Sequence, residues 1–362
     1  MVEATSWVGQ LVILSAAVFA APIALGPIAY GETYYRVEPG ETKSNEVPAT
    51  YDVMLLQAGM VGGEFKPAIY TANAELSVAE HIFNYQEAIF YANAPVSVGL
   101  NFYVEVGARL DMNDNISCQG SMMVQHGGLL NLNSGMLTAN GLSVRSNSVM
   151  NISGGDFTVG SLRVDTGGVM YGGGGQVTRT IVVESGASLT IAHNLNLNDG
   201  IYIDGTGSTL TAAGYSYNAP TVRLTGGASL IFGAGDIINS LTVDGNGSQL
   251  VGNEPLALSS LSVANGGTLH LGSFTGMGGA GNWGLRLAGD KRSYLESLIE
   301  ANSIVGDGGT LAVFYDQSSN ATHISSTAVP EIDPATGSSA LSLVACVLAM
   351  IEQRRRRATL VA

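Results

Sequence analysis

Three acidic residues stand out because they recur at one position of a repeat: Asp165, Glu184 and Asp204. If that repeat folds into stacked coils, their carboxylates lie one above another, about 4.8 Å apart. Such a column suits Ca²⁺, which takes six to eight oxygen ligands. It also suits glycan cleavage with inversion, because the expected spacing of Asp165 and Asp204 on alternate coils is close to the roughly 6.5–9.5 Å that the two carboxyls need.

The same column has an interpretation without a ligand. Asp often precedes a turn because its side chain bonds the backbone there, and Asp204-Gly and Asp244-Gly have this form. Stacked like charges repel unless solvent, a cation or basic neighbours compensate, and Arg145 and Arg163 are near in the repeat. The dipeptides favour a solvated column of turn residues, while a cation site and a catalytic pair remain open.

The repeat that positions these residues consists of an apolar-x-apolar pair, which we call the anchor, followed by a turn and a Leu or Met. Nine anchors are spaced by 19 to 21 residues. They are Phe102/Val104, Met122/Val124, Leu142/Val144, Leu162/Val164, Ile181/Val183, Ile201/Ile203, Val222/Leu224, Leu241/Val243 and Leu261/Val263. A fixed period of this length is typical of a solenoid, in which stacking buries what one repeat cannot bury alone.

Each copy alternates apolar and polar residues, as a strand with one buried face does. A second apolar column supports the same period. It contains Leu110, Leu130, Met150, Met170, Leu189, Leu210, Leu230, Leu250 and Leu269. With three short strands per repeat, the sequence predicts an all-β fold: a single-stranded, right-handed parallel β-helix of about nine coils over residues 101–274.

The flanking regions are predicted to close the ends of this stack, because open sheet edges would pair with other chains. Residues 32–100 are predicted to form an N-terminal cap with irregular coils. Residues 275–325 are predicted to form a small C-terminal α/β cap. This cap has a helix over 289–303 and a hairpin whose strands are 310–315 and 321–325.

The C-terminal segment 326–362 has the order of a membrane-sorting tail. Val329-Pro330-Glu331 is followed by Ala340–Ile351, twelve residues without charge, and then by a run of arginines, namely Arg354, Arg355, Arg356 and Arg357. A stable bilayer span needs about 20 residues, so this run docks only transiently. The arginines favour the cytoplasmic side.

This order of parts resembles the PEP-CTERM sorting signal of bacterial surface proteins. Val329-Pro330-Glu331 matches the motif, whereas Ile332 stands where the family has proline. The resemblance implies cleavage by an exosortase-type enzyme in the inner membrane and delivery to the cell surface or the extracellular space. The alternative is a plain C-terminal membrane anchor.

The N-terminus is also consistent with export. Trp7–Ala29 carries no charge, and Ala29-Tyr30-Gly31 fits a small-x-small cleavage pattern, so residues 1–31 are predicted to be a signal peptide. Met1–Ser6 departs from the usual pattern because it holds Glu3 and no basic residue.

The composition narrows the choice of partners. Gly accounts for 48 of 362 residues, only 12% of residues are charged, and the formal net charge is −14. An acidic chain of this kind is a poor partner for nucleic acid. Loss of the tail would remove Cys346 and leave Cys118 without an intrachain partner, so no disulfide framework is predicted. No cofactor is predicted apart from the Ca²⁺ considered above.

We therefore expect a non-enzymatic, exported surface or matrix protein that serves adhesion or associates with extracellular polysaccharide, the latter being what the resemblance to PEP-CTERM proteins implies. A spacer without a ligand of its own is a further possibility. The Gly-Gly-x-Leu-x-Leu rhythm, as at Gly127–Leu132, resembles the passenger repeats of autotransporter adhesins. That resemblance concerns architecture, because β-helices serve adhesins and enzymes alike. The alternative is a β-helix polysaccharide lyase or glycoside hydrolase.

Overall fold

A computed structural model gives the fold of the chain. It describes residues 34–172, 175–191, 195–212, 217–232, 237–252, 256–271, 284–306 and 309–328. The predicted signal peptide (1–31) and the sorting motif from Val329 onwards lie outside the described residues.

Most of the described residues lie in strands. The first 17 strands cover residues 34–172. They are β1 (Tyr34–Val37), β2 (Thr42–Asn45), β3 (Ala49–Gln57), β4 (Gly59–Val61), β5 (Glu64–Lys66), β6 (Ile69–Ala72), β7 (Leu76–Tyr85), β8 (Ile89–Ala92), β9 (Val96–Val98), β10 (Phe102–Glu105), β11 (Arg109–Met112), β12 (Ile116–Gln125), β13 (Leu129–Leu132), β14 (Met136–Arg145), β15 (Val149–Ile152), β16 (Asp156–Asp165) and β17 (Val169–Gly172).

The second half continues the series and contains one described helix. Its elements are β18 (Gly175–Val177), β19 (Ile181–Glu184), β20 (Ser188–Thr190), β21 (Leu195–Leu197), β22 (Gly200–Asp204), β23 (Thr209–Thr211), β24 (Tyr217–Thr225), β25 (Ser229–Phe232), β26 (Ile237–Asp244), β27 (Gln249–Gly252), β28 (Leu256–Leu258), β29 (Ser260–Ala264), β30 (Thr268–Leu271), β31 (Leu285–Ala288), α1 (Arg292–Glu300), β32 (Ile304–Gly306), β33 (Gly309–Asp316) and β34 (Ala321–Ala328).

Two long parallel sheets form the body of the molecule. One has 15 strands and includes the anchors; the other has 13 and includes the second apolar column. In the first sheet β9 and β10 both pair with β7, so each coil contributes two short strands to it, in places fused across a bend. The predicted parallel β-solenoid with three short strands per coil is confirmed.

The solenoid has about 11 turns, because strands between residues 34 and 98, where a cap with irregular coils is predicted, belong to the same sheets as the nine regular coils. The repeat is irregular there for two physical reasons. The hairpin β4–β5 is inserted into one coil and lengthens it. In the next coil Asn84 takes the inward position that Val104 occupies one coil later, so the anchor is not apolar at both places.

Regular stacking of identical columns forms the core. Leu110 lies opposite Leu130, Met150 opposite Met170, and Leu189 opposite Leu210. The N-terminal coils fill the same interior with rings: the ring centres of Tyr70 and Phe90 lie 5.4 Å apart, as do those of Phe90 and Phe102. Each coil therefore depends on its neighbours to bury its apolar residues.

Tight turns follow the anchors and keep the coils in register. In the turn after β10, Val106 and Gly107 both have positive φ, 54° and 74°, and Ala108 N–H donates to the carbonyl of Glu105. Two coils hold an extra residue in this turn, as at Asp204–Ser208, where Gly205 and Gly207 have φ of 87° and 81°. Because these glycines absorb the insertion, the following Leu210 still lies opposite Leu189.

The C-terminal end contains the predicted helix and hairpin with adjusted bounds. Strands β33 and β34 pair antiparallel, and β34 pairs with β31. Helix α1 buries Leu295 and Leu298, and the hydroxyl of Tyr294 donates to the carbonyl of Leu261 on the last anchor strand. Within the described part of the chain, no helix has the length and apolar character needed to span a bilayer.

Candidate functional site

The three carboxylates singled out in the sequence do fall on consecutive coils. Arg145 lies opposite Asp165 in the β14–β16 ladder, and Glu184 lies opposite Asp204 in the β19–β22 ladder. The register of Val164 with Val183 places Asp165 next to Glu184. Their surroundings differ, because Asp165 is buried, Glu184 is half-buried and Asp204 is exposed.

Each carboxylate of the column accepts a hydrogen bond, and two of them share one arginine. Asp165 accepts hydrogen bonds from Arg163 Nε at 2.6 Å and from Thr166 Oγ1 at 2.9 Å. The same arginine extends to the next coil, where its Nη2 donates to Glu184. Asp204 accepts from the hydroxyl of Thr225. One guanidinium therefore compensates the two carboxylates that the repeat brings together.

No group of three or more His, Cys, Asp or Glu side chains able to hold a metal ion occurs among the described residues. Further along the column, Asp244 is likewise bound by a donor, the side-chain amide of Asn265 at 2.7 Å. The arrangement of these side chains is that of a ladder of paired polar groups along one corner of the solenoid.

The N-terminal part of this corner carries a chain of three hydrogen-bonded polar side chains, of which Glu105 and Gln125 are buried and Arg145 is half-buried. Arg145 Nε donates to Gln125 Oε1 at 2.7 Å, and the Gln125 amide donates to Glu105. Burial raises the pKa of the Glu105 carboxyl to about 7, while the charge of Arg145 opposes that rise. Glu105 therefore changes its charge near neutral pH.

The outward-facing residues of the anchor strands form a second feature, which we call the outer row. Ladder register aligns one residue of each anchor strand along the solenoid axis. The outer row is Phe83, Tyr103, Met123, Ser143, Arg163, Val182, Tyr202, Arg223, Thr242 and Ser262. At its N-terminal end the rings of Phe83 and Tyr103 stack with centres 4.9 Å apart and planes within 8°.

Beside this stack the outer face holds an open depression of about 190 Å³. The residues around it are four small ones, two apolar ones and two arginines: Ser121, Gly141, Ser143, Ser161, Met123, Leu142, Arg145 and Arg163. Ser121, Gly141 and Ser161 form a row next to the outer row, on three successive coils. Small side chains there let a ligand approach the strands, with the two arginines on one flank.

The other candidates behave as structural groups. Cys118 is buried, and burial raises the pKa of its thiol to about 12, as expected for an inert cysteine. His81 packs against Phe83 and Tyr103 with ring centres 5.4 and 5.8 Å away. Burial lowers the pKa of His81, so it is neutral at neutral pH and acts as a third ring in the aromatic stack.

Sequence reasoning considered the position after each anchor and not the position inside it. The period that aligned Asp165 with Glu184 also aligns Tyr103 with Met123 and Ser143, so the outer row was accessible from the same spacing. The place of Phe83 in the outer row could not be predicted in this way, because its coil lacks an apolar anchor pair.

Comparison with protein-family models, with curated proteins and with solved structures yields no match.

Proposed function

We propose that this chain is an exported structural or adhesive protein of the bacterial cell surface or extracellular matrix, and that it associates with extracellular polysaccharide. Its sorting tail would engage an exosortase-type enzyme in the inner membrane, as the resemblance of Val329–Arg357 to PEP-CTERM signals implies. Residues 1–31 would direct the chain into the export route.

The observation that carries the structural role is the pairing of the carboxylates along the corner of the solenoid. A glycan-cleaving site needs one carboxyl free to donate a proton and another free to attack or to activate water. Asp165 and Glu184 instead share the guanidinium of Arg163. Their arrangement favours a scaffold held by polar ladders over a hydrolytic pair.

Further ladders support the same view. Asn93 donates to Asn73, Asn113 to Asn93, and Asn133 to Asn113, each across one coil at 2.8 to 3.1 Å. Such stacked amides satisfy exposed corners coil by coil and add to the stability of the stack. They link successive coils in the described part of the chain, where Cys118 is a free cysteine, and this suits a component of a matrix outside the cell.

The sorting part of the proposal is tested by surface display of three chains: the full chain, one lacking Val329–Ala362, and one with Pro330→Ala and Glu331→Ala. We expect the deletion to abolish surface delivery. The double substitution keeps the apolar run and the arginines, so it should block processing while membrane association persists. If the tail is only an anchor, the double variant will behave like the full chain, and the sorting proposal is then wrong.

The enzymatic alternative is tested by incubating the full chain with neutral and acidic polysaccharides and measuring new reducing ends and new unsaturated ends. We expect neither. Release of either product, lost on substitution of Asp165, Glu184 or Asp204, would overturn the structural role in favour of a hydrolase or a lyase.

A further inference from the structure

The depression on the outer face carries an arginine without a carboxylate partner among the described residues, in a protein that is acidic overall. Arg145 and Arg163 line it, and none of the described residues that line it is a carboxylate. Arg163 is paired with Asp165 and Glu184, which lie beside the depression. The formal net charge of the chain is −14, with only 15 Lys and Arg in 362 residues, so the charge of Arg145 is a local exception at this surface.

The two arginines are held in place from behind. Gln125 accepts from Arg145 Nε, and Asp165 accepts from Arg163 Nε. Arg145 has no carboxylate of the described residues within ion-pair distance, so its terminal N–H groups and its charge are available. A guanidinium fixed through Nε presents its remaining donors in a planar fork that matches a carboxylate.

An apolar platform lies next to these donors along the axis. Tyr103 is in register with Met123, and Met123 with Ser143, so the Phe83–Tyr103 stack is one coil beyond the depression. Aromatic rings of this kind offer a flat apolar face, and tyrosine adds a polar edge. Sugar rings bind through just these two features, an apolar face and hydroxyl groups.

We propose that this surface binds an acidic polysaccharide, with a carboxylate on Arg145, its backbone over the serine and glycine floor, and a neighbouring sugar ring on Tyr103. The chain of the polysaccharide would run along the solenoid axis, since the outer row does. The inference rests on the proposed function and names the class of polysaccharide. Uronic acid units supply a carboxylate for Arg145; a neutral glycan would leave that arginine without a partner, whereas Arg163 is already paired with Asp165 and Glu184.

The experiment measures binding of the full chain to polygalacturonate, to dextran as a neutral polysaccharide and to an oligothymidylate as a nucleic acid. The variant is Ser143→Glu, which places a negative charge on the floor of the depression at an outward-facing position. The matched control is Ser262→Glu, the same change in the same outer row, several coils away. We expect Ser143→Glu to weaken polygalacturonate binding by at least about tenfold, and Ser262→Glu to change it by less than about twofold.

The alternative results each overturn a distinct statement. Equal loss in both variants would show general charge repulsion and no site at the depression. Binding of dextran as strong as that of polygalacturonate, unaffected by Ser143→Glu, would leave polysaccharide association standing and remove this site. Binding of the oligothymidylate alone would replace the glycan by a nucleic acid. Binding to neither polysaccharide would overturn the site and the polysaccharide association together, while the display assay would still decide surface delivery.

Discussion

The Nε of Arg163 donates a hydrogen bond of 2.6 Å to Oδ2 of Asp165, two residues further along the same strand. This bond links the outer row, to which Arg163 belongs, with the corner of the solenoid, where Asp165 is buried. The side chain of Asp165 is only 7% exposed, whereas that of Arg163 is 53% exposed. The corner carboxylate thus positions an arginine that faces solvent.

Replacing Arg163 by Gln should destabilise the solenoid, because it leaves Asp165 buried with only Thr166 as a side-chain donor. We expect the free energy of unfolding in urea to fall by about 1–2 kcal/mol. Arg223→Gln is the matched control: Arg223 lies exposed in the same outer row, and its loss should cost less than about 0.5 kcal/mol. Equal effects of the two substitutions would contradict a stabilising role of the ion pair between Arg163 and Asp165.

Two serines at the same place in the repeat should respond differently to removal of their hydroxyl groups. Both Ser148 and Ser208 are fully buried. Ser208 Oγ donates to the Asp204 carbonyl at 2.6 Å and accepts from Gly186 N–H at 3.0 Å, whereas Ser148 Oγ has no hydrogen-bond partner. We expect Ser208→Ala to lower the free energy of unfolding by about 1–2 kcal/mol and Ser148→Ala to leave it unchanged or raise it.

That comparison is made by urea unfolding of the two variants beside the parent chain. Ser208 closes the turn that carries the inserted residue. A cost for Ser148→Ala as large as that for Ser208→Ala would show that packing of the oxygen atom, and not its hydrogen bonds, holds these turns.

Stability should depend on pH through Glu105. Its pKa in the folded protein is raised to about 7 from the ordinary value of 4.5, chiefly by burial. The folded state therefore binds this proton more tightly than the unfolded chain does. The stability that this group contributes is fully present below about pH 4.5 and is lost as pH rises through about 7, a change of roughly 1–3 kcal/mol.

Glu105→Gln removes this titration, because the amide stays neutral throughout. We expect the variant to be more stable than the parent at about pH 8, with the gain shrinking towards about pH 5. Glu75→Gln, at an exposed position, is the control and should leave the pH profile unchanged. A Glu105→Gln profile parallel to that of the parent from acid to alkaline pH would contradict the assignment.

Val106 is a point of backbone strain that substitution should relieve. It is β-branched and 48% exposed, and its φ of 54° lies in the left-handed region that such residues avoid. Val106→Asn should raise the free energy of unfolding by about 1 kcal/mol, because Asn tolerates this conformation. Val47→Asn, at another exposed valine, should give no gain; if thermal unfolding shifts equally in both variants, the cause is surface polarity and not φ.

Much of the fold could be predicted from spacing because a solenoid converts sequence period directly into contacts. Leu110 and Leu130, in the second apolar column, are neighbours in space because they are one period apart in sequence. Between residues 34 and 98 the sequence predicts only a cap with irregular coils, because local exceptions break the period there. Asn84 is buried with its amide donating to the carbonyl of Arg109 at 2.8 Å, a compensation that no periodic pattern reveals.

The candidate site was predictable only in part for a related reason. The spacing of the repeat predicts that Asp165 and Glu184 are neighbours and that Arg163 is near them. It does not predict that the guanidinium of Arg163 binds both carboxylates. That outcome depends on the directions of side chains at a corner. The depression forms because Gly141 and Ser143 are small and lie beside two arginines. No sequence motif marks this combination, so it becomes visible only on the folded surface.

The central claim is that the protein lies outside the cell in association with polysaccharide. The most direct measurement follows the full chain in fractions of the producing culture, before and after enzymatic digestion of the extracellular polysaccharide. We expect the protein in the extracellular polysaccharide fraction, and its release into the soluble fraction when the polysaccharide is digested. Recovery of the protein from the cytoplasm, or its absence from the extracellular polysaccharide fraction before digestion, would contradict the account.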